Sequence, residues 1–133
     1  GAQWNRGAYL VQGPGHCESC HSPRNALGAT RGERLEGGLI PSLNWYAPSL
    51  ASPDEAGVAD WPLQEIVQLL GTGVSPRASM IGPMADVVFA SMQHLTSADL
   101  EAIAVYLKAL PQPAKPREAA PPRPTRSRRS AAR

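Results

Sequence analysis

Cys17 and Cys20 stand two residues apart, and His21 follows the second cysteine directly. They are the only 2 cysteines in the chain, so Cys17-Glu18-Ser19-Cys20-His21 has no further thiol to pair with. A Cys-x-x-Cys-His run is the attachment signature of a c-type haem. Each thiol can add across one haem vinyl group, and the two-residue spacer lets the sulfurs reach both. The histidine then falls under the iron and can supply one axial bond.

Other uses of the same five residues fit the rest of the chain less well. A thioredoxin-like redox pair would sit beside a βαβ pattern, and no alternating β-branched runs occur here. A structural zinc site wants four ligands, usually with a second Cys or His pair at short spacing. His16 and His21 flank the cysteines, while His94 stands far away without a partner. A disulfide across two intervening residues would be a small strained loop and would leave His21 without a role. The motif therefore points to haem c, one per chain, attached through Cys17 and Cys20.

A chain of 133 residues is the size of one domain. Aromatic residues make up only 5% of it, with a single Phe (Phe89), so its side chains alone build a thin core. A porphyrin would add the large flat apolar surface that these side chains lack, and burial of such surface is the main favourable term in folding. The holoprotein is thus expected to depend on its cofactor for stability. No apolar stretch approaches the length that crosses a bilayer, and no amino-terminal segment reads as a secretory signal. Haem c is attached outside the cytoplasm, so a mature form, an excised piece or a domain of a longer polypeptide is expected. The expected location is the periplasm, at the outer face of the cytoplasmic membrane where an anchor is supplied.

The net charge of +2 conceals an asymmetry. Residues 1–110 carry six basic and ten acidic side chains, whereas residues 111–133 carry seven basic ones and Glu118 alone. The second stretch also holds six of the 14 prolines. This break predicts a folded domain over 1–110 and a disordered Pro/Arg-rich tail over 111–133. The tail is either a basic arm for anionic lipid or an acidic partner, or a solvated linker. No nucleic-acid partner is expected.

Short helices and loops are expected in the ordered part. Residues 5–11 read as a helix broken by Gly13-Pro14-Gly15. Residues 22–60, rich in Gly, Pro, Ser and Asn, read as long loops wrapped over a cofactor. Pro62 can open a second helix at its first turn. Leu63, Ile66, Val67 and Leu70 keep helical spacing until Gly71 and Gly73. Residues 84–93 look like a further helix, with Val87, Val88 and Phe89 mostly buried. In the last helix Thr96 is the N-cap, Asp99 holds the capping-box position and Pro111 closes the far end. Leu100, Ile103, Ala104 and Leu107 form its apolar stripe. With no convincing strand, the expected class is all-α.

An electron-transfer haem needs a second axial ligand, and Met80, Met84, Met92, His16 and His94 are the candidates. Met84 follows Gly82-Pro83, a stiff turn that can hold a thioether against the iron at little conformational cost. It also lies 63 residues after His21, ample chain to pass around the haem edge. Met80 lacks that support, and Met92 falls among helical residues where packing is the commoner job. His94 would give a bis-histidine haem of lower potential. Spacing favours Met84 and leaves the others open.

Several separated segments resemble a known family. Residues 4–11 (Trp-Asn-Arg-Gly-Ala-Tyr-Leu-Val), Gly15-His16-Cys17 and Cys20-His21-Ser22-Pro23-Arg24-Asn25 are similar to the cytochrome c subunits of membrane-bound bacterial dehydrogenases. Those subunits serve alcohol, aldehyde, gluconate and related oxidations. Trp45-Tyr46-Ala47-Pro48-Ser49-Leu50, Gly82-Pro83-Met84-Ala85-Asp86-Val87-Val88 and the closing helix to Pro111 follow in the family's order. The likeness covers about residues 3–111, is greatest to the middle of three such domains, and implies a class I cytochrome c fold whose first and last helices cross near Gly7. It implies covalent haem on Cys17 and Cys20, and iron held by His21 and Met84. Trp45 and Tyr46 are candidate hydrogen-bond donors to a haem propionate or, equally, wedges over the haem edge. Trp61 is expected to pack.

The implied function is electron transfer, one electron at a time, with no residue doing bond chemistry on a substrate. The donor would be a dehydrogenase subunit or another cytochrome, and the acceptor a quinone, an oxidase or a cytochrome. The alternative is a haem enzyme or gas-sensing module with an open or labile sixth coordination site. A non-functional fragment, unable to acquire haem, is a third reading.

Overall fold

A computed structural model describes residues 1–31 and 35–113 of the chain. The basic tail from residue 114 onward lies outside the described residues, and so does its expected disorder. The described chain is mainly helical, with one small hairpin.

The first and last long helices form the frame. Helix α1 spans Ala2–Gln12, wider than the expected 5–11, and turns Gly7, Leu10 and Val11 inward. The short α2, Glu18–His21, carries the attachment motif. Three backbone bonds fix the approach to it: Gly13 N–H to the Tyr9 carbonyl, Gly15 N–H to Leu10 and Cys17 N–H to Val11. The motif is thereby mounted directly on the end of α1.

The expectation of no strand is corrected. Strands β1, Gly38–Ile40, and β2, Trp45–Ala47, pair antiparallel with Gly38 opposite Ala47, Leu39 opposite Tyr46 and Ile40 opposite Trp45. Three-residue strands are too short to display a period, and their pairing is a tertiary matter. The other described residues of 22–60 form loops and turns, apart from an isolated bridge between Arg24 and Thr30, as the composition predicts.

Helix α3, Leu63–Thr72, buries Ile66 and Leu70. Pro62 sits one position outside it as the N-cap, and Gly73 ends it at φ 80°, a left-handed conformation that favours glycine. Helix α4, Pro83–Ala90, starts with Pro83 at its first turn, and a 3₁₀ turn follows at Met92–His94. Of the three residues expected inside, only Val88 is buried; Val87 is 42% and Phe89 77% exposed. Consecutive residues diverge around a helix, so a two-turn helix packed on one side against α3 and the Met92–His94 turn buries a single stripe.

Helix α5, Ser97–Lys108, buries Leu100, Ile103, Ala104 and Leu107 as the stripe predicts, with Ala102 and Tyr106 besides. Thr96 caps it, its hydroxyl oxygen accepting the Asp99 backbone N–H at 3.2 Å. The Asp99 carboxylate does not complete a capping box. It accepts two hydrogen bonds from the Arg6 guanidinium, at 2.9 and 3.0 Å, joining α1 to α5.

The core lies where α1, α3 and α5 meet, with Leu10, Val11, Ile66, Leu70, Leu100, Ile103, Ala104 and Leu107 at its centre. Gly7 allows the close crossing of α1 over α5, because a Cβ there would overlap the Ala102 carbonyl oxygen. Tyr106 takes a hydrogen bond from Gln12 at 2.9 Å and lies against Trp4, ring centroids 5.3 Å apart. Trp61 packs against this core, as expected.

Candidate functional site

His21 is buried, only 8% exposed, at the last position of α2. Its Nδ1 lies 2.7 Å from the carbonyl oxygen of Pro48, just beyond β2. A carbonyl only accepts, so Nδ1 carries the proton and Nε2 keeps its lone pair for another partner. Burial holds the imidazole below its ordinary pKa, and the Pro48 carbonyl pulls the other way. The ring is thereby kept neutral near pH 7, the form that binds a metal.

Cys17 and Cys20 are both unpaired thiols, partly buried on the same short turn as His21. Burial pushes the Cys17 thiol up to about 11, and the neighbouring Cys20 and Glu18 add to this. The turn is braced from outside: the Arg24 guanidinium donates to the Ser19 carbonyl and, at 2.8 Å, to the carbonyl of Gly28. His16 precedes Cys17 in a left-handed conformation, φ 36°, with its side chain exposed.

The three methionines separate cleanly. Met80 and Met92 pack against the hydrophobic core, which among the described residues does not take in Met84. Met84 is half-buried at the start of α4, behind Gly82 and Pro83. His94 is exposed, as is His16.

Trp45 and Tyr46 occupy β2, 42% and 54% exposed. The Tyr46 hydroxyl donates to the Glu55 carboxylate at 2.7 Å. The Trp45 ring lies over Gly82: a Cβ built there would stand 2.5 Å from Trp45 Cη2. Ile81, 70% exposed, adjoins this contact. A flat apolar group laid on Trp45 beside Gly82 would cover surface otherwise left in water.

These residues fit a covalently held porphyrin. The donor set offers a neutral imidazole, a thioether outside the core and two unpaired thiols on one turn. Three supports had no signal in the sequence: the Pro48 carbonyl, the Arg24 brace and the Trp45 seat on Gly82. The first and third join segments distant in the chain, the Arg24 brace is a local contact to backbone carbonyls, and a backbone carbonyl has no residue type to reveal it.

An imidazole turned by the backbone and preceded by two open thiols is what a c-type cytochrome asks of its polypeptide. Comparison with known proteins narrows that class. The chain is 44% identical over 112 residues to the cytochrome c subunit of an alcohol dehydrogenase (quinone) from Gluconobacter oxydans, covering 80% of this chain and 23% of that one. It is 41% identical over 113 residues to the fructose dehydrogenase cytochrome subunit of Gluconobacter japonicus, covering 84% and 23%. The gluconate 2-dehydrogenase cytochrome c subunit of Pantoea cypripedii is 37% identical over 112 residues, covering 79% and 25%. The chain is a homologue of dehydrogenase cytochrome c subunits over about four-fifths of its length. It spans about a quarter of the length of these curated relatives. No family model matches it.

Proposed function

We propose that this domain carries a single haem c, joined by thioether bonds to Cys17 and Cys20, with iron held between His21 Nε2 and the Met84 thioether. The observation that carries the reading is the His21–Pro48 hydrogen bond of 2.7 Å, which turns a buried neutral imidazole so that Nε2 is left to bind. When bound, the haem supplies a reversible one-electron couple at iron. The chain's own part is to hold and orient. The Pro48 carbonyl fixes the tautomer and angle of His21 and raises its basicity. Arg24 steadies the turn that presents both thiols. The soft Met84 sulfur favours ferrous iron and raises the potential. Trp45 and Tyr46 border the same cofactor edge, and Tyr46 can serve a propionate only by giving up Glu55.

In this reading the domain is an electron carrier rather than a catalyst. It accepts one electron from a dehydrogenase subunit or another cytochrome and delivers it to a quinone, an oxidase or a cytochrome. Its setting is the periplasm, at the outer face of the cytoplasmic membrane. Among the described residues no helix is long and apolar enough to cross a membrane. The basic stretch from residue 111 is a candidate arm for an anionic surface, tested by whether its removal weakens membrane association.

The deciding experiment is the visible spectrum, oxidised and reduced, of protein made in an export-competent host. A low-spin ferrous haem indifferent to carbon monoxide is expected, and Met84→Ala should abolish the sulfur-to-ferric-iron band, lower the potential and admit carbon monoxide. Uptake by the unaltered protein would transfer it to the open-site class of haem enzymes and gas sensors. A colourless product with two free thiols would end the haem reading. An unchanged band in Met84→Ala would give the ligand role to Met80 or Met92.

A further inference from the structure

We infer that Trp45 is a positioning residue for Met84: its ring, seated on Gly82, sets where helix α4 begins and so where the thioether stands. The inference rests on the haem reading above and adds to it a determinant of how firmly the sixth ligand is held.

The contact is shaped by the absence of a side chain. Gly82 adopts φ 59° and ψ −140°, a backbone conformation essentially confined to glycine. A Cβ there would come within 2.5 to 2.7 Å of Trp45 Cη2, Cζ2 and Cζ3. The far end of the indole therefore rests flat on the Gly82 backbone, and no other residue at 82 would let it. Pro83 follows with its φ fixed by the ring, and the Ala85 N–H donates to the Gly82 carbonyl at 3.1 Å. From Gly82 to Met84 little torsional freedom remains, so the position of Gly82 is passed on to the thioether.

The strand that carries Trp45 is itself anchored. Trp45 pairs with the buried Ile40, and three residues further on the Pro48 carbonyl holds Nδ1 of His21. One short segment, 45–48, thus bears on both axial donors: through a hydrogen bond on the histidine side and an aromatic seat on the methionine side. Loosening the seat should release Met84 and leave His21 held. A propionate-donor role for Trp45 makes a different demand, because it needs the indole N–H and not the contact of the ring with the Gly82 backbone.

The test uses haem-loaded Trp45→Ala, Gly82→Ala and the double variant, followed by the ferric thioether band and by carbon monoxide binding to the ferrous protein. Trp45→Ala is expected to weaken the band and raise apparent carbon monoxide affinity at least about tenfold, as the open form becomes populated, with both thioether links intact by mass. Gly82→Ala should do the same by collision. In the double variant the losses should be smaller than their sum, because the ring that opposes the new methyl has gone. Trp45→Phe, whose ring ends short of Gly82, should fall between, and it serves if Trp45→Ala does not fold. Strict additivity, or an undisturbed band in both Trp45 variants, would overturn the inference. If the unaltered protein lacks the thioether band, the haem assignment fails instead, and the two failures are told apart.

Discussion

Gly7 of α1 and Ala102 of α5 approach so closely that a Cβ on Gly7 would overlap the Ala102 carbonyl oxygen and stand 2.8 Å from Tyr106 Cβ. The crossing of the two terminal helices depends on this contact, and the attachment turn is mounted on the end of α1. Gly7→Ala would force the helices apart despite the better helix propensity of alanine. A loss of about 1–3 kcal/mol, the usual range for overpacking, is expected from the denaturant midpoint of the haem-loaded protein. An unchanged midpoint would mean that the crossing is not a constraint.

Arg6 and Asp99 tie the same helices by paired hydrogen bonds at the surface. The hydrogen bonds and charge of Arg6 hold the Asp99 carboxyl below its ordinary value. A depressed folded-state pKa means that the unfolded chain binds more protons in that range. The contribution is therefore present in full above the ordinary carboxylate range near 3.9 and lost as pH falls through the lowered value. Asp99→Asn should flatten the acid limb of the stability profile, and added salt should shrink the difference between the two proteins. Parallel profiles at low salt would count against the pair.

Cys17, with its thiol pushed up to about 11 by burial, should be slow to alkylate in folded protein that lacks haem. At pH 8 the thiolate fraction falls on the order of a hundredfold below that of an ordinary cysteine. Iodoacetamide labelling followed by peptide mass should show slow modification that speeds up as pH rises, and that reaches the ordinary rate in denaturant. Equal rates with and without denaturant would place the thiol in water.

Lys108 reaches from the end of α5 to the carbonyls of Trp61 and, at 2.9 Å, of Ala59. It fixes the loop that leads into α3. Lys108→Met keeps most of the aliphatic stem and removes the donors. A cost of about 1.5–3 kcal/mol is expected, the range for hydrogen bonds to charged groups, with faster amide exchange at the start of α3. Unchanged exchange there would make the contact incidental.

The parts of the fold that were legible in the sequence are those written in adjacent residues. Leu100, Ile103, Ala104 and Leu107 recur at helical spacing, and all four are buried. Thr96 announced its cap by residue type alone. Val87 and Phe89 remain exposed although apolar, because apolar character says which residues prefer burial, not which side of α4 has a neighbour. The 38–47 hairpin leaves no mark in the sequence, because its strands are too short for a period and its register depends on pairing across a turn. Asp99 had the spacing of a capping box, yet its carboxylate found Arg6, 93 residues away in the chain.

The sequence by itself determined two thiols and an imidazole at spacings set by local geometry, and the periodic helices around them, while it favoured Met84 as a thioether without excluding Met80 or Met92. Only the tertiary structure decided which atoms support those donors. The Pro48 carbonyl on His21 and the Trp45 ring on Gly82 come from segments that fold together only when the core closes, whereas the Arg24 guanidinium on Ser19 is a brace within one short stretch of chain. A motif is local because covalent reach is short, whereas orientation is non-local because it takes packed neighbours to remove the remaining torsional freedom.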